Sequence, residues 1–271
     1  MNLPSTSGSW TGRVQRPLAA LFLMAILALA PGCGSKPLDY IKSFFGFGSG
    51  DGAPMGDESV NLATRAQERM DADDYSDAAQ LYQQLRDQYP YSRLAILADL
   101  KLGDAYYLDE KYIEAYAAYR TFEERHPTSD AIPYALYQEG MCHFMQMKGV
   151  DRDQTPSVIA IRTFANLVET YPESKYAAMG KARIAEAQNN LAGHEFYIGE
   201  FYYKRKDYRA AINRFMGIIT LYPDSGYHQR AYNYIAEYRD LVAKGEIDEG
   251  NQRPSEYNSP FTVTDVQDTR Y

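Results

Sequence analysis

The chain has 271 residues, 45% of them apolar, and carries 28 basic against 36 acidic side chains for a net charge of −8. That length suffices for one or two ordinary domains with a substantial core. The acidic balance leaves no electrostatic footprint for a phosphate backbone, which argues against nucleic acid as a partner.

In chain order the first element is an export signal. Arg13 and Arg16 precede the apolar run LAALFLMAILALA, Leu18 to Ala30. A helix of that length is roughly 20 Å long, short of the ~30 Å hydrocarbon core, so it reads as a signal-peptide core rather than a membrane span. The next residues, LAPGCGS, resemble the lipobox of bacterial lipoproteins. In that family the cysteine, here Cys33, receives a diacylglycerol thioether and becomes the mature N-terminus. A generic cleavage site with an incidental cysteine is the other reading. Gly34 stands where aspartate would hold a lipoprotein at the inner membrane. The expectation is therefore a lipid-anchored protein of the outer membrane, facing the periplasm of a Gram-negative bacterium. Residues 1–32 contain Arg13, Arg16 and no acid, so the mature chain moves to −10. The other cysteine, Cys142, then has no disulfide partner.

Residues 33–57 read as a lipidated tether. Its aromatics, YIKSFFGF (Tyr40 to Phe47), could touch the membrane surface or belong to a flexible linker. Beyond it the sequence repeats. Four segments close alike, QLRDQYPYS, TFEERHPTS, NLVETYPES and GIITLYPDS, on Pro90, Pro127, Pro172 and Pro223. Counting back from each proline, an apolar residue recurs at five (Leu85, Phe122, Leu167, Ile218) and a ring at eight (Tyr82, Tyr119, Phe164, Phe215). Alanine recurs at twelve (Ala78, Ala115, Ala160, Ala211). These steps trace one helix face, the alanine marks a close helix contact, and proline stops the helix. Tyr75, Tyr112 and Tyr208 open three of these helices, and Asp74 is expected to cap the first. Each helix has a predecessor, with small contact residues at Ala98, Gly103, Ala135 and Gly140.

The pattern resembles the tetratricopeptide repeat, whose period is about 34 residues. It predicts an all-α, right-handed helical solenoid of about five helix pairs: repeats one to three over 58–174, then a long linking helix and C-terminal repeats over 175–244. The prolines fall 37, 45 and 51 residues apart. The 45 holds an insertion, MKGVDRDQTPSV, with Pro156 expected in the first turn of the next helix. Asp151 and Arg152 could bridge this loop to the neighbouring repeat. The 51 implies one helix through residues 175–205, with a possible kink near Gly193. The polar tail, 245–271, reads as disordered.

No chemistry stands out. The four histidines have no metal-ligand spacing, His194-Glu195 lacks the second histidine of a zinc-protease helix, and no nucleophile elbow or phosphate loop is present. The acid-rich DADDYSD lacks the glycine and glutamate of a calcium loop. The reading is not an enzyme, with no cofactor.

A lipobox, four repeats and the split third repeat together resemble the BamD (ComL/YfiO) family of outer-membrane assembly lipoproteins. The family shows a GVDR segment before a proline, here Gly149 to Arg152 with Pro156. It also carries a tyrosine pair, here Tyr202-Tyr203, followed by Asn213-Arg214. The resemblance implies a scaffold of the β-barrel assembly machinery that grips a BamA-type insertase, works beside other BAM lipoproteins and recognises the C-terminal signals of unfolded outer-membrane proteins. It assigns Arg214, with Tyr202 and Tyr203, to the insertase contact, with Arg214 meeting an insertase carboxylate. It assigns Tyr89 to the client groove. Arg214→Glu is then expected to weaken association while leaving the helical signal intact. The alternative is a periplasmic repeat adaptor for cell-wall or pilus assembly machinery. The tail departs from the family's helical end.

Overall fold

The computed structural model describes residues 57–248. The signal segment, Cys33, the tether aromatics and the tail from residue 249 lie outside the described residues, as do the expectations placed on them. Within 57–248 the chain forms nine helices and no strand: α1 (Asp57–Asp71), α2 (Tyr75–Gln88), α3 (Arg93–Leu108), α4 (Tyr112–Arg125), α5 (Ile132–Phe144), α6 (Thr155–Thr170), α7 (Lys175–Lys204), α8 (Tyr208–Leu221) and α9 (His228–Ala243). Each helix packs on the next. The first helices of neighbouring repeats also meet, α1 with α3 and α5 with α7. The result is a tetratricopeptide-like stack of four pairs and a closing helix.

The repeated face is the core. The alanines at 78, 115, 160 and 211 are fully buried, as are the rings at 82, 119, 164 and 215 and the apolar residues at 85, 122, 167 and 218. Three of the rings lie against a glycine of the preceding helix. A Cβ on Gly103 would come within 2.6 Å of the Tyr119 ring, on Gly140 within 2.4 Å of Phe164, and on Gly199 within 2.6 Å of Phe215. At such distances alanine would have to move the ring, so glycine sets how closely the pairs approach.

The prolines act through a shared elbow. Tyr89, His126, Tyr171 and Tyr222 each leave helical geometry at φ −128 to −132°, and their N–H still bonds the carbonyl four residues back. The serine two residues after the proline caps the next helix in two repeats, Ser92 accepting from the Leu94 N–H and Ser174 from Tyr176 and Ala177, whereas Ser129 accepts from Ala131, just ahead of α5. The fourth departs from this, because Ser225 Oγ is buried without a partner.

The turns inside the pairs are equally uniform. Asp73, Glu110 and Lys206 sit at φ 59°, 58° and 64°, the left-handed region that favours glycine. The N–H of the next residue returns to the carbonyl of Arg69, Tyr106 and Tyr202 respectively. This turn decides against Asp74 as a cap. At ψ 64° its side chain makes no bond to the helix N-terminus and instead meets Arg69 at 2.9 Å.

The linking helix α7 is a single 30-residue helix. Its first half packs Gly180 and Ala187 toward α6, and its second packs Ala192 and Phe196 into the C-terminal cluster. The insertion docks at its middle. His194 Nδ1 lies 2.6 Å from the Val150 carbonyl, and Asn190 donates to the Lys148 carbonyl at 3.1 Å. A Cβ on Gly193 would strike Val150 at 2.7 Å. The loop is therefore held by its backbone and Val150. Asp151 and Arg152 make no bridge to another repeat; they face each other, exposed, at 3.4 Å. Pro156 lies in the first turn of α6, as expected.

Candidate functional site

Two regions carry the sequence candidates. The C-terminal one is built by α7, α8 and α9 around Phe196, Phe215 and Ile218. Phe215 and Tyr234 stack at 4.7 Å with an interplanar angle of 13°, and Phe196 lies 5.5 Å from Phe215. Arg230 spreads its guanidinium over Phe196 at 4.1 Å, a cation–π contact worth on the order of 1 kcal/mol.

Arg214 projects from α8 toward α7. Its Nη1 reaches Glu195 Oε2 at 2.8 Å, and the two side chains are only 13% and 10% exposed. Its partner within the chain is thus already a carboxylate. Arg214→Glu would set two carboxylates together in a nearly dry site, so the expectation of an undisturbed helical fold does not survive this geometry. Tyr203 is half-buried among Tyr208, Phe215 and Tyr234, with the Tyr234 ring 4.8 Å away. Burial, and then the Glu237 carboxylate, push its phenol well above the ordinary value. Tyr202 is half-buried beside Phe201 at 5.6 Å, and its carbonyl closes the α7–α8 turn. The three residues share one pair of helices, but Tyr203 packs against the core and Arg214 is nearly buried.

Glu195 escaped the sequence reading. Its only signal was an acid two residues after Gly193 and four before Gly199, the close-approach positions on the inward side of α7. The chain also exposes Tyr197 and Phe201 by about half on that helix, and Tyr232 on α9.

The N-terminal region is more polar. Asp99 on α3 is 3% exposed and receives Arg125 at 3.1 Å, His126 Nε2 at 2.8 Å and Arg86 at 4.0 Å. It sits beneath a cleft of about 260 Å³ lined by Gln83, Arg86, Tyr106, Glu114 and Thr121. Asp104 accepts from Tyr119 at 2.8 Å, Tyr134 at 2.7 Å and Lys101 at 2.8 Å. Burial, followed by the Asp104 charge, drives both phenols far upward. Glu139 on α5 is 3% exposed, and its Oε1 has no partner. Burial, then the charge of Glu123, raise it to about 8.

Tyr89 ends α2, half-buried, and its backbone forms the elbow: N–H to Leu85, carbonyl to Ser92. Two residues on, Tyr91 is fully exposed. That position holds Thr128, Glu173 and Asp224 in the other repeats, so an aromatic among polar equivalents was the legible and missed signal. Among the described residues no group of three or more His, Cys, Asp or Glu could hold a metal ion, and no helix is long and apolar enough to cross a membrane.

Comparison with known proteins adds an independent line. The family model YfiO, described as outer membrane lipoprotein, matches residues 56–252. A Neisseria meningitidis protein named outer membrane protein assembly factor BamD is 31% identical over 209 residues, covering 73% of this chain and 78% of the relative. The protein of that name from Haemophilus influenzae is 31% identical over 221 residues, covering 78% and 79%. That from Caulobacter vibrioides is 28% identical over 73% of this chain and 65% of the relative.

Proposed function

Because this chain belongs to the YfiO family of outer membrane lipoproteins, we propose that it is a non-enzymatic subunit of the machinery that assembles β-barrel proteins in the outer membrane. The observation that carries this reading is the extent of the match, which takes in all nine described helices. The chain scaffolds a BamA-type insertase through its C-terminal repeats and presents C-terminal signals of unfolded clients from its N-terminal ones. It is held to the membrane through Cys33 and faces the periplasm.

In this reading Arg214, Tyr202 and Tyr203 form the insertase-facing group. The ion pair with Glu195 supports a preformed contact, since it holds the guanidinium in one place before a partner arrives. On the client side, Tyr89 and the fully exposed Tyr91 offer a pair of rings to an extended, aromatic-ended strand.

Affinity purification from detergent-solubilised envelopes tests the proposal. Co-recovery of a β-barrel insertase is expected, and recovery of peptidoglycan enzymes or pilins without it would overturn the reading. At residue level Arg214→Lys keeps a charge for Glu195 while losing the planar fork. It should weaken insertase recovery with a melting temperature close to that of the parent chain.

A further inference from the structure

We propose that the α7–α8 corner is a second membrane contact, a basic and aromatic foot that adsorbs to the phosphate-bearing surface of an anionic bilayer. The proposal rests on the outer-membrane location argued above.

Three turns join the first and second helices of a pair with the same backbone. Their charges differ completely. The α1–α2 turn presents Asp71, Asp73, Asp74 and Asp77, the last two facing Arg69 at 2.9 and 3.7 Å. The α3–α4 turn presents Asp109, Glu110 and Glu114 against Lys111, which is closed on Asp109 at 2.7 Å. The α7–α8 turn presents Lys204, Arg205, Lys206 and Arg209, with Asp207 the one acid among them in sequence. In a chain of net charge −8, four bases within six residues are a pronounced local reversal. Lys204 is 74% exposed and reaches Glu200 only at 3.9 Å. Beside this corner Phe201 is 51% exposed with the Arg205 guanidinium 5.2 Å over its ring, and Tyr197 stands exposed one turn earlier.

Basic side chains around exposed rings at a helix end suit a headgroup layer: the rings enter the acyl boundary and the long cations stay with the phosphates. The acidic α1–α2 and α3–α4 turns would be repelled by such a surface, so adsorption brings the C-terminal repeats to the bilayer. Bilayer attachment generally needs two signals, and the corner supplies the second beside the expected lipid on Cys33.

Lys206 allows a clean test, because glycine is favoured at its φ of 64° and Lys206→Gly removes the charge without straining the turn. Glu110→Gly makes the same backbone change in an acidic turn. The full mature chain carrying Cys33→Ser, so that no acyl anchor hides weak adsorption, is sedimented with vesicles of phosphatidylcholine alone or containing phosphatidylglycerol. Binding is expected only with phosphatidylglycerol and should disappear at high salt. Lys206→Gly should weaken it about fivefold and Lys204→Gln with Lys206→Gly more than about tenfold, while Glu110→Gly should not weaken it. Equal binding to both vesicle types, or no effect of Lys206→Gly, overturns the proposal. Loss of insertase recovery in Lys206→Gly with vesicle binding unchanged also overturns it, and would assign the corner to an acidic protein surface. A chain that recovers no insertase yet shows the charge-dependent adsorption leaves this inference standing while the functional reading falls.

Discussion

The second and third repeats and the C-terminal repeats both bury carboxylates between helices, yet they neutralise them by different means. Around α3 to α5, Asp99 is ringed by Arg86, Arg125 and His126, Asp104 takes two phenols and a lysine, and Glu139 keeps an unpartnered oxygen. Around α7 to α9, Glu195 meets Arg214 beside stacked rings. The same repeat scaffold thus supports a polar, protonation-sensitive interface at one end and an aromatic one pinned by a charge pair at the other. Packing of ring on glycine is common to both, so the difference lies in the polar residues that the repeat pattern does not constrain.

The largest effect that would sharpen this contrast is at Arg214. Arg214→Ala takes the cation away from Glu195, whose side chain is 10% exposed, and should cost about 3 kcal/mol in urea unfolding. Replacing both partners by apolar residues of similar volume (Arg214→Met with Glu195→Leu) should recover most of that loss. A single-mutant cost below about 1 kcal/mol would mean the pair is effectively solvated, and the contrast with Asp99 would collapse.

The next effect is a pH dependence confined to the other end. Glu139, raised from 4.5 to about 8 by burial and by Glu123, binds its proton more tightly in the folded chain than in the unfolded one. Its stabilising contribution is therefore complete below about 4.5 and is lost as pH rises toward 8. Between pH 6 and 8 the loss should approach about 2 kcal/mol. Glu139→Gln should flatten that slope in melts taken across the range. An unchanged slope would remove Glu139 from the argument. His143, one turn along α5 with its Nε2 buried and unpartnered, is shifted downward by the same burial. The unfolded chain therefore binds that imidazole proton more tightly than the folded one, so His143 opposes part of the Glu139 slope as pH rises, and the comparison with Glu139→Gln isolates the Glu139 share.

The smallest effect tests the shared turn. Glu110→Gly relieves a left-handed non-glycine residue and should raise stability by about 0.5–1 kcal/mol in thermal unfolding. A loss instead would show that the Glu110 side chain, not the backbone, holds the turn.

Much of the fold was legible because it is periodic. A ring eight residues before a proline and an alanine twelve before it recur only when the same helix pair is built again, and the starts at Tyr75, Tyr112 and Tyr208 follow from that register. The candidate site was legible only in outline. The resemblance set Arg214 against an insertase carboxylate, and nothing local announced Glu195, because it lies 19 residues away on another helix and meets Arg214 only when α8 folds back onto α7. Likewise, Asp74 lost its capping role to a left-handed turn, whose conformation at Asp73 no local preference for glycine announced.

By itself the sequence determined helix starts, stops and the inward stripe, since these are set by local hydrogen bonding, proline sterics and apolar spacing within one turn or two. Tertiary structure decided which charges are buried and with whom, and how the GVDR loop is held. That loop is pinned by Val150 against Gly193 and by backbone bonds to Asn190 and His194, more than forty residues downstream in the chain. Burial and pairing depend on groups brought together only by stacking, and no short-range pattern encodes them.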